Sequence, residues 1–158
     1  MGQNGIKRVF QTKLEDVCSS DLEGVGTSRF EGNDEYVFLQ GVASTVVGSA
    51  VVVEYDYTTT LLTRDEGQYP RKIAVAMGIT VASKFGWYQV KGIGSVWAAA
   101  SCAAERQLYT DTSTTGGVDG TSASEHAIHG LILTAACGAS AAATACQMDY
   151  PWTAPTFD

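Results

Sequence analysis

The amino-acid sequence predicts an all-β fold, a small barrel or sandwich of short strands preceded by an extended N-terminal arm, with room for one short helix. Three observations carry that prediction. Valine, threonine and tyrosine gather in short blocks, and these residue types fit a pleated, half-buried surface. The blocks are separated by glycine and serine, and with 17 glycines against 3 prolines the chain has many places to bend. No stretch sustains the apolar period of a long helix. At 158 residues the chain is the size of one ordinary domain with appendages.

Residues 1–34 are polar and mixed, punctuated by Gly24-Val25-Gly26 and Glu31-Gly32-Asn33-Asp34, and read as the arm; residues 35–158 read as the β-rich body. Within the arm, Ile6, Lys7, Arg8, Val9 and Phe10 combine β-branched, aromatic and basic side chains that suit strand pairing with a neighbouring chain. The body opens on a strand at 36–40 that stops at Gly41. After a Gly48-Ser49 turn, residues 50–57 join a continuous apolar run to an alternating tail, and 59–63 form a second, shorter strand. Residues 65–70 have the charge and turn chemistry of an exposed loop.

Residues 73–78 alternate large and small side chains. On a strand, Ile73, Val75 and Met77 share one face, and the alanines on the other can lie close under a second element. In 86–92, Trp87, Gln89 and Lys91 point one way and Tyr88 and Val90 the other; 94–97 prolong this strand beyond a glycine bulge or bend. The alanine-rich stretch 98–106 has the composition for a helical turn. A short strand at 108–110 then enters a Thr, Ser, Gly and Asp loop over 111–124. An apolar strand at 129–134, a small-residue turn at 135–143 and a closing segment that ends at Pro151 complete the body, and the tail 152–158 lies extended along it. Trp87, Tyr88, Trp97 and Trp152 are expected as core or subunit-interface anchors. Roughly seven to nine short strands with frequent turns give a small barrel or sandwich.

Charge and motifs narrow the function. A net charge of −7 repels a phosphate backbone, so no direct nucleic-acid partner is expected. Apolar runs such as 128–136 fall short of the roughly 20 residues needed to cross a bilayer, and the first ten residues lack the apolar block of a signal peptide, so no membrane association is expected. Cys18, Cys102, Cys137 and Cys146 show neither C-x-x-C nor zinc spacing, and the last three, set among small residues, read as small buried hydrophobes. His126 and His129 have only Glu125 as a local third ligand, too few for a metal site. No Gly-x-Ser-x-Gly signal supports a catalytic triad, and Gly92-Ile93-Gly94 and Gly116-Gly117 lack the later glycine or lysine of a phosphate loop. Glu15-Asp16 and Asp65-Glu66 sit in polar stretches and read as surface charge rather than acid–base pairs. No catalytic residue, metal or cofactor is therefore expected.

One segment goes further than composition. Residues 72–92, Lys-Ile-Ala-Val-Ala-Met-Gly-Ile-Thr-Val-Ala-Ser-Lys-Phe-Gly-Trp-Tyr-Gln-Val-Lys-Gly, resemble the central portion of head decoration, or cement, proteins of tailed bacteriophages. These often carry an alternating Ala/Val strand, a small-residue turn, then Gly-Trp-Tyr-Gln and an apolar residue before glycine. Flanking features agree in order, so the resemblance covers about residues 36–151. It implies a β-rich protomer, commonly a homotrimer, whose partner is the major capsid protein and whose place is the exterior of the expanded head. There it clamps capsid subunits against the pressure of packaged DNA. A tail- or fibre-associated β domain is the next expectation, a carbohydrate-binding module using Trp97 or Trp152 the third, and an enzyme the last.

Overall fold

The computed structural model describes residues 9–121 and 126–154, and they form strands and turns with one helical turn. A first antiparallel hairpin joins β1 (Ser28–Glu31) to β2 (Asp34–Gln40) through Gly32, whose φ of 63° is a conformation glycine adopts without steric cost. A second joins β3 (Ala50–Val53) to β4 (Thr59–Leu61). The helical turn α1 (Arg64–Gly67) follows, capped by the Thr63 hydroxyl, which accepts from the Glu66 N–H at 3.3 Å. Then come β5 (Lys72–Ala76), the long β6 (Phe85–Ala98), β7 (Leu108–Thr110), β8 (Val118–Asp119), β9 (Ala127–Leu133) and the long β10 (Ala142–Ala154).

All ten strands join in one sheet that curls twice around β6. The first half of β6 pairs with β2 and β5, β5 with β3, and β3 with β4. Gln40 on β2 returns to the Tyr57 carbonyl beside β4, closing that circuit. The second half of β6 pairs with β10, β10 with β9, β9 with β7 and β7 with β8, and β8 returns to Ala98 of β6 through Val118. The expected all-β class holds, with the sheet wrapping into ring-like circuits that bury both faces of its central strands.

Side-chain alternation decides which core each residue joins. On β3, Ala50 and Val52 face the larger core, with Leu108, Ile128, Leu131 and Met148; Val51 faces the smaller one, with Leu39, Leu61 and Tyr88. On β5, Ile73 and Val75 enter the larger core while Ala74 and Ala76 lie in the smaller one with Tyr88. That is the close approach the alternating alanines predict. Met77, one step beyond β5, instead joins a third cluster built from Cys18, Tyr36, Phe38 and Trp87.

β6 changes partners through a bulge. Its register against β2 slips between Glu35↔Lys91 and Tyr36↔Gln89, and Gly92 takes a φ of 106°. The buried Gln89 amide donates to the Lys91 and Ile93 carbonyls at 3.2 and 3.0 Å, satisfying acceptors where the ladder is interrupted. Gly94 makes room for that side chain, since a Cβ there would stand 2.2 Å from Gln89 Oε1. β10 carries a second irregularity between Met148 and Trp152, with Tyr150 at a φ of 49°.

Several expectations change. Residues 28–31, placed in the arm, form β1, and residues 10–23 lie on the body, because Cys18 bridges to Phe85 and Phe10 and Leu14 join the Trp87 cluster. The helical turn falls at 64–67 instead of 98–106, since Thr63-x-x-Glu66 is a capping sequence and the alanine stretch has none. The strand expected to run to Tyr57 stops at Val53, because Asp56 accepts from the Thr58 N–H and hydroxyl at 3.1 and 2.6 Å and turns the chain. Val118–Asp119 is a strand inside the expected loop. β10 continues through Pro151 to Ala154, as the bulge leaves the proline without a ladder bond to lose.

Candidate functional site

Ile6, Lys7 and Arg8, the centre of the expected strand-pairing segment, lie outside the described residues. Val9 is 85% exposed, whereas Phe10 turns inward and meets Trp87 edge-to-face at 5.3 Å. Trp87 and Tyr88 are fully buried on opposite faces of β6, Trp97 is half-buried, and Trp152 is 45% exposed. Trp87 and Tyr88 are core residues of the protomer, and Trp152 is a surface residue.

Two surfaces stand out. One is the edge of β1, which among the described residues pairs only with β2. Phe38 N–H donates to the Thr27 carbonyl, so alternation turns the Thr27, Arg29 and Glu31 backbone toward β2 and leaves that of Ser28 and Phe30 facing outward. Phe30 is 66% exposed there. Beside this edge lies the 9–12 segment, held by Arg29, whose guanidinium donates to the Thr12 carbonyl at 2.7 Å and lies 5.1 Å over the Phe10 ring.

The other is a cleft of about 640 Å³ at the mouth of the first circuit. Val37, Val53 and Val90, which pack on the smaller core, also line it. One wall is the 54–58 turn, carrying Tyr55, exposed over its whole side chain, and Tyr57, whose ring lies over Gly26 where a Cβ would stand 2.7 Å from it. The β10 bulge supplies Tyr150 and Trp152. His129 stacks on the Trp152 indole at 4.6 Å and 26°, so the indole is supported on one face.

Charges of both signs line the cleft. Glu35 is 92% buried, exposed to 8%, and accepts from the Tyr150 hydroxyl at 2.5 Å; that bond to a carboxylate pushes the Tyr150 pKa up. Lys91 sits 5.2 Å over the Tyr150 ring. Arg71 donates to Glu54 at 2.7 Å and reaches Glu66 on α1 at 3.9 Å, while Lys72 lines the cleft unburied. Sequence reasoning anticipated Trp152 and missed Glu35, Tyr55, Tyr57, Arg71 and Tyr150. Asp56-Tyr57-Thr58 and Tyr150-Pro151 were the available signals, since both contexts favour a turn or bulge that throws aromatic rings outward.

All four cysteines are free and buried, and burial pushes Cys146 up to about 12. Glu15 and Asp65 are exposed and Asp16 and Glu66 half-buried, in keeping with solvated charge. Among the described residues no three His, Cys, Asp or Glu side chains are grouped to hold a metal, and no helix is long and apolar enough to cross a membrane. No protein-family model matches the chain, and no curated protein matches it either.

Proposed function

We propose that the chain is a capsid decoration, or cement, protein of a tailed bacteriophage: a virion structural protein without catalysis that binds the outside of the expanded head and stabilises it against internal DNA pressure. Its partners are the major capsid protein and further copies of itself in a homotrimer. The observation that carries this reading is the open β1 edge, with exposed Phe30, lying beside the 9–12 segment that Arg29 fastens to the body. An exposed edge is a template for strand addition from another chain, and a lattice of identical subunits offers many such weak contacts at once. The stretch that resembles cement proteins supports it too, as residues 72–92 supply β5 and the first half of β6, where the circuits meet.

Copy number on purified virions tests the proposal. Hundreds of copies distributed over the head are expected; a few dozen confined to the tail would replace it with the tail- or fibre-domain reading. Removing residues 1–8 is expected to leave a folded body that binds expanded capsids at least tenfold more weakly. The cut falls before Val9 because Phe10 and Thr12 belong to the body.

A further inference from the structure

The cleft has no part in shell attachment by a strand edge, yet it has the size and chemistry of a ligand site. We propose that it binds a neutral saccharide of one to a few sugar rings, stacked on Trp152 and flanked by Tyr55.

Three observations select that ligand class. First, the aromatic rings are presented, not packed away. Tyr55 is 99% exposed at the tip of a turn and Trp152 is 45% exposed while His129 supports the ring by stacking on it. Leaving large rings in water forgoes the free energy of their burial, which a ligand with an apolar face recovers. The C–H face of a pyranose is such a surface, and it is flat enough to lie on an indole.

Second, the polar groups demand a partner that both donates and accepts. Glu35 and Glu54 are acceptors, each with lone pairs beyond those used by Tyr150 and Arg71. Arg71 and Lys72 are donors in the same cleft. A sugar hydroxyl donates and accepts at once, so one ring can satisfy carboxylate and cation together. A proline-rich peptide presents carbonyl acceptors with few donors and would leave Glu35 unmatched.

Third, the charges are balanced. Two carboxylates face two cations, and the Glu54–Arg71 pair is already made. An anionic ligand would meet Glu35 buried on the wall, and a cationic one would meet Lys72 and Arg71. A neutral ligand meets neither cost.

The test is titration calorimetry, or ligand-observed NMR, of the full chain with neutral di- and trisaccharides of gluco, galacto, manno and N-acetylhexosamine configuration. Sialylated and sulfated sugars and a polyproline peptide serve as the comparison arms. At least one neutral sugar is expected to bind in the millimolar range or tighter. Trp152→Ala and Tyr55→Ala are expected to weaken it at least tenfold, Trp152→Phe less, and Trp97→Ala, outside the cleft, not at all. Coincident thermal unfolding of the variants keeps loss of folding separate. No neutral sugar bound, binding indifferent to Trp152→Ala, or preference for a charged sugar or the peptide would each overturn the proposal. None of these outcomes bears on head attachment, which is read by capsid binding.

Discussion

The indole N–H of Trp87 donates to the Thr12 hydroxyl at 2.9 Å, across 75 residues of sequence, and Thr12 passes the hydrogen bond on to Glu23 at 2.9 Å. Glu23 also accepts from the Gln11 and Thr12 backbone amides at 2.7 and 2.8 Å. The three residues are buried together. This relay satisfies the one polar atom of a fully buried tryptophan and fastens residues 10–23 to the body.

Replacing Thr12 by valine keeps the shape and removes the hydroxyl. The Trp87 N–H and one Glu23 oxygen then lose a partner in a dry site, which costs about 1–3 kcal/mol. Urea unfolding should show that loss for Thr12→Val and little change for Thr12→Ser. Equal stability of the valine variant would mean that the relay contributes nothing.

That relay also marks where the sequence is silent. Local patterns found β2, β5, β6, β7 and β9, because short alternating or continuous blocks of apolar, β-competent residues are written in adjacent positions. The two faces of β5 were legible down to the alanines beneath Tyr88. Residues 10–31 have no alternation of their own; their order comes from Trp87, Phe85 and Phe38, partners too distant for a local window to see. The cleft was hidden for the same reason, since its walls come from β2, the 54–58 turn, the 70–73 segment and the β10 bulge. Trp152 alone was visible in advance, as an aromatic beside a proline.

The alanine face gives a packing prediction. Ala74 is fully buried in the smaller core, opposite the Ile73 and Val75 face of the larger one. Ala74→Leu inserts bulk beneath Tyr88 and Leu39 and should destabilise by about 1–3 kcal/mol through overpacking. Substituting Ile132, 42% exposed on the outer face of β9, by threonine should change stability by no more than about 0.5 kcal/mol. Comparable midpoints for the two variants in urea would contradict the assignment of faces.

Gly92 is required twice over. Its φ of 106° is rarely adopted by L side chains, and a Cβ would fall 1.8 Å from Asp34 Oδ1, which accepts from the Ile93 N–H at 3.2 Å. Gly92→Ala should therefore cost about 1–3 kcal/mol, and more if Asp34 has to leave its hydrogen bond. Adding Asp34→Gly removes the carboxylate from the clash but leaves the residue-34 Cα 2.9 Å from the new Cβ, together with the backbone strain, so the double variant should recover only part of the loss. Full recovery would assign the whole effect to Asp34, and a neutral Gly92→Ala would refute both causes.

Cys146 makes stability depend on pH in a direction that can be worked out. Burial in the larger core pushes its thiol from the ordinary 9.0 up to about 12, against a weaker opposing hydrogen bond from the Gly94 backbone. In the unfolded chain the thiol ionises near 9; in the folded chain it keeps its proton until about 12. Between these values the folded state holds more protons, so the free energy of unfolding falls as pH rises. The contribution is complete below about 9 and is lost on the way to about 12. Burial also raises Cys18, Cys102, Tyr36 and Tyr88, so the decline of the whole protein is a sum, and the Cys146 share must be read by difference. At neutral pH Cys146→Ala should be less stable than the parent, because it opens a cavity. Above pH 9 the parent should lose stability faster, so that the gap measured by urea unfolding narrows toward pH 12. A gap that stays constant across that range would show that the thiol ionises alike in both states, and hence that water reaches Cys146 in the folded core.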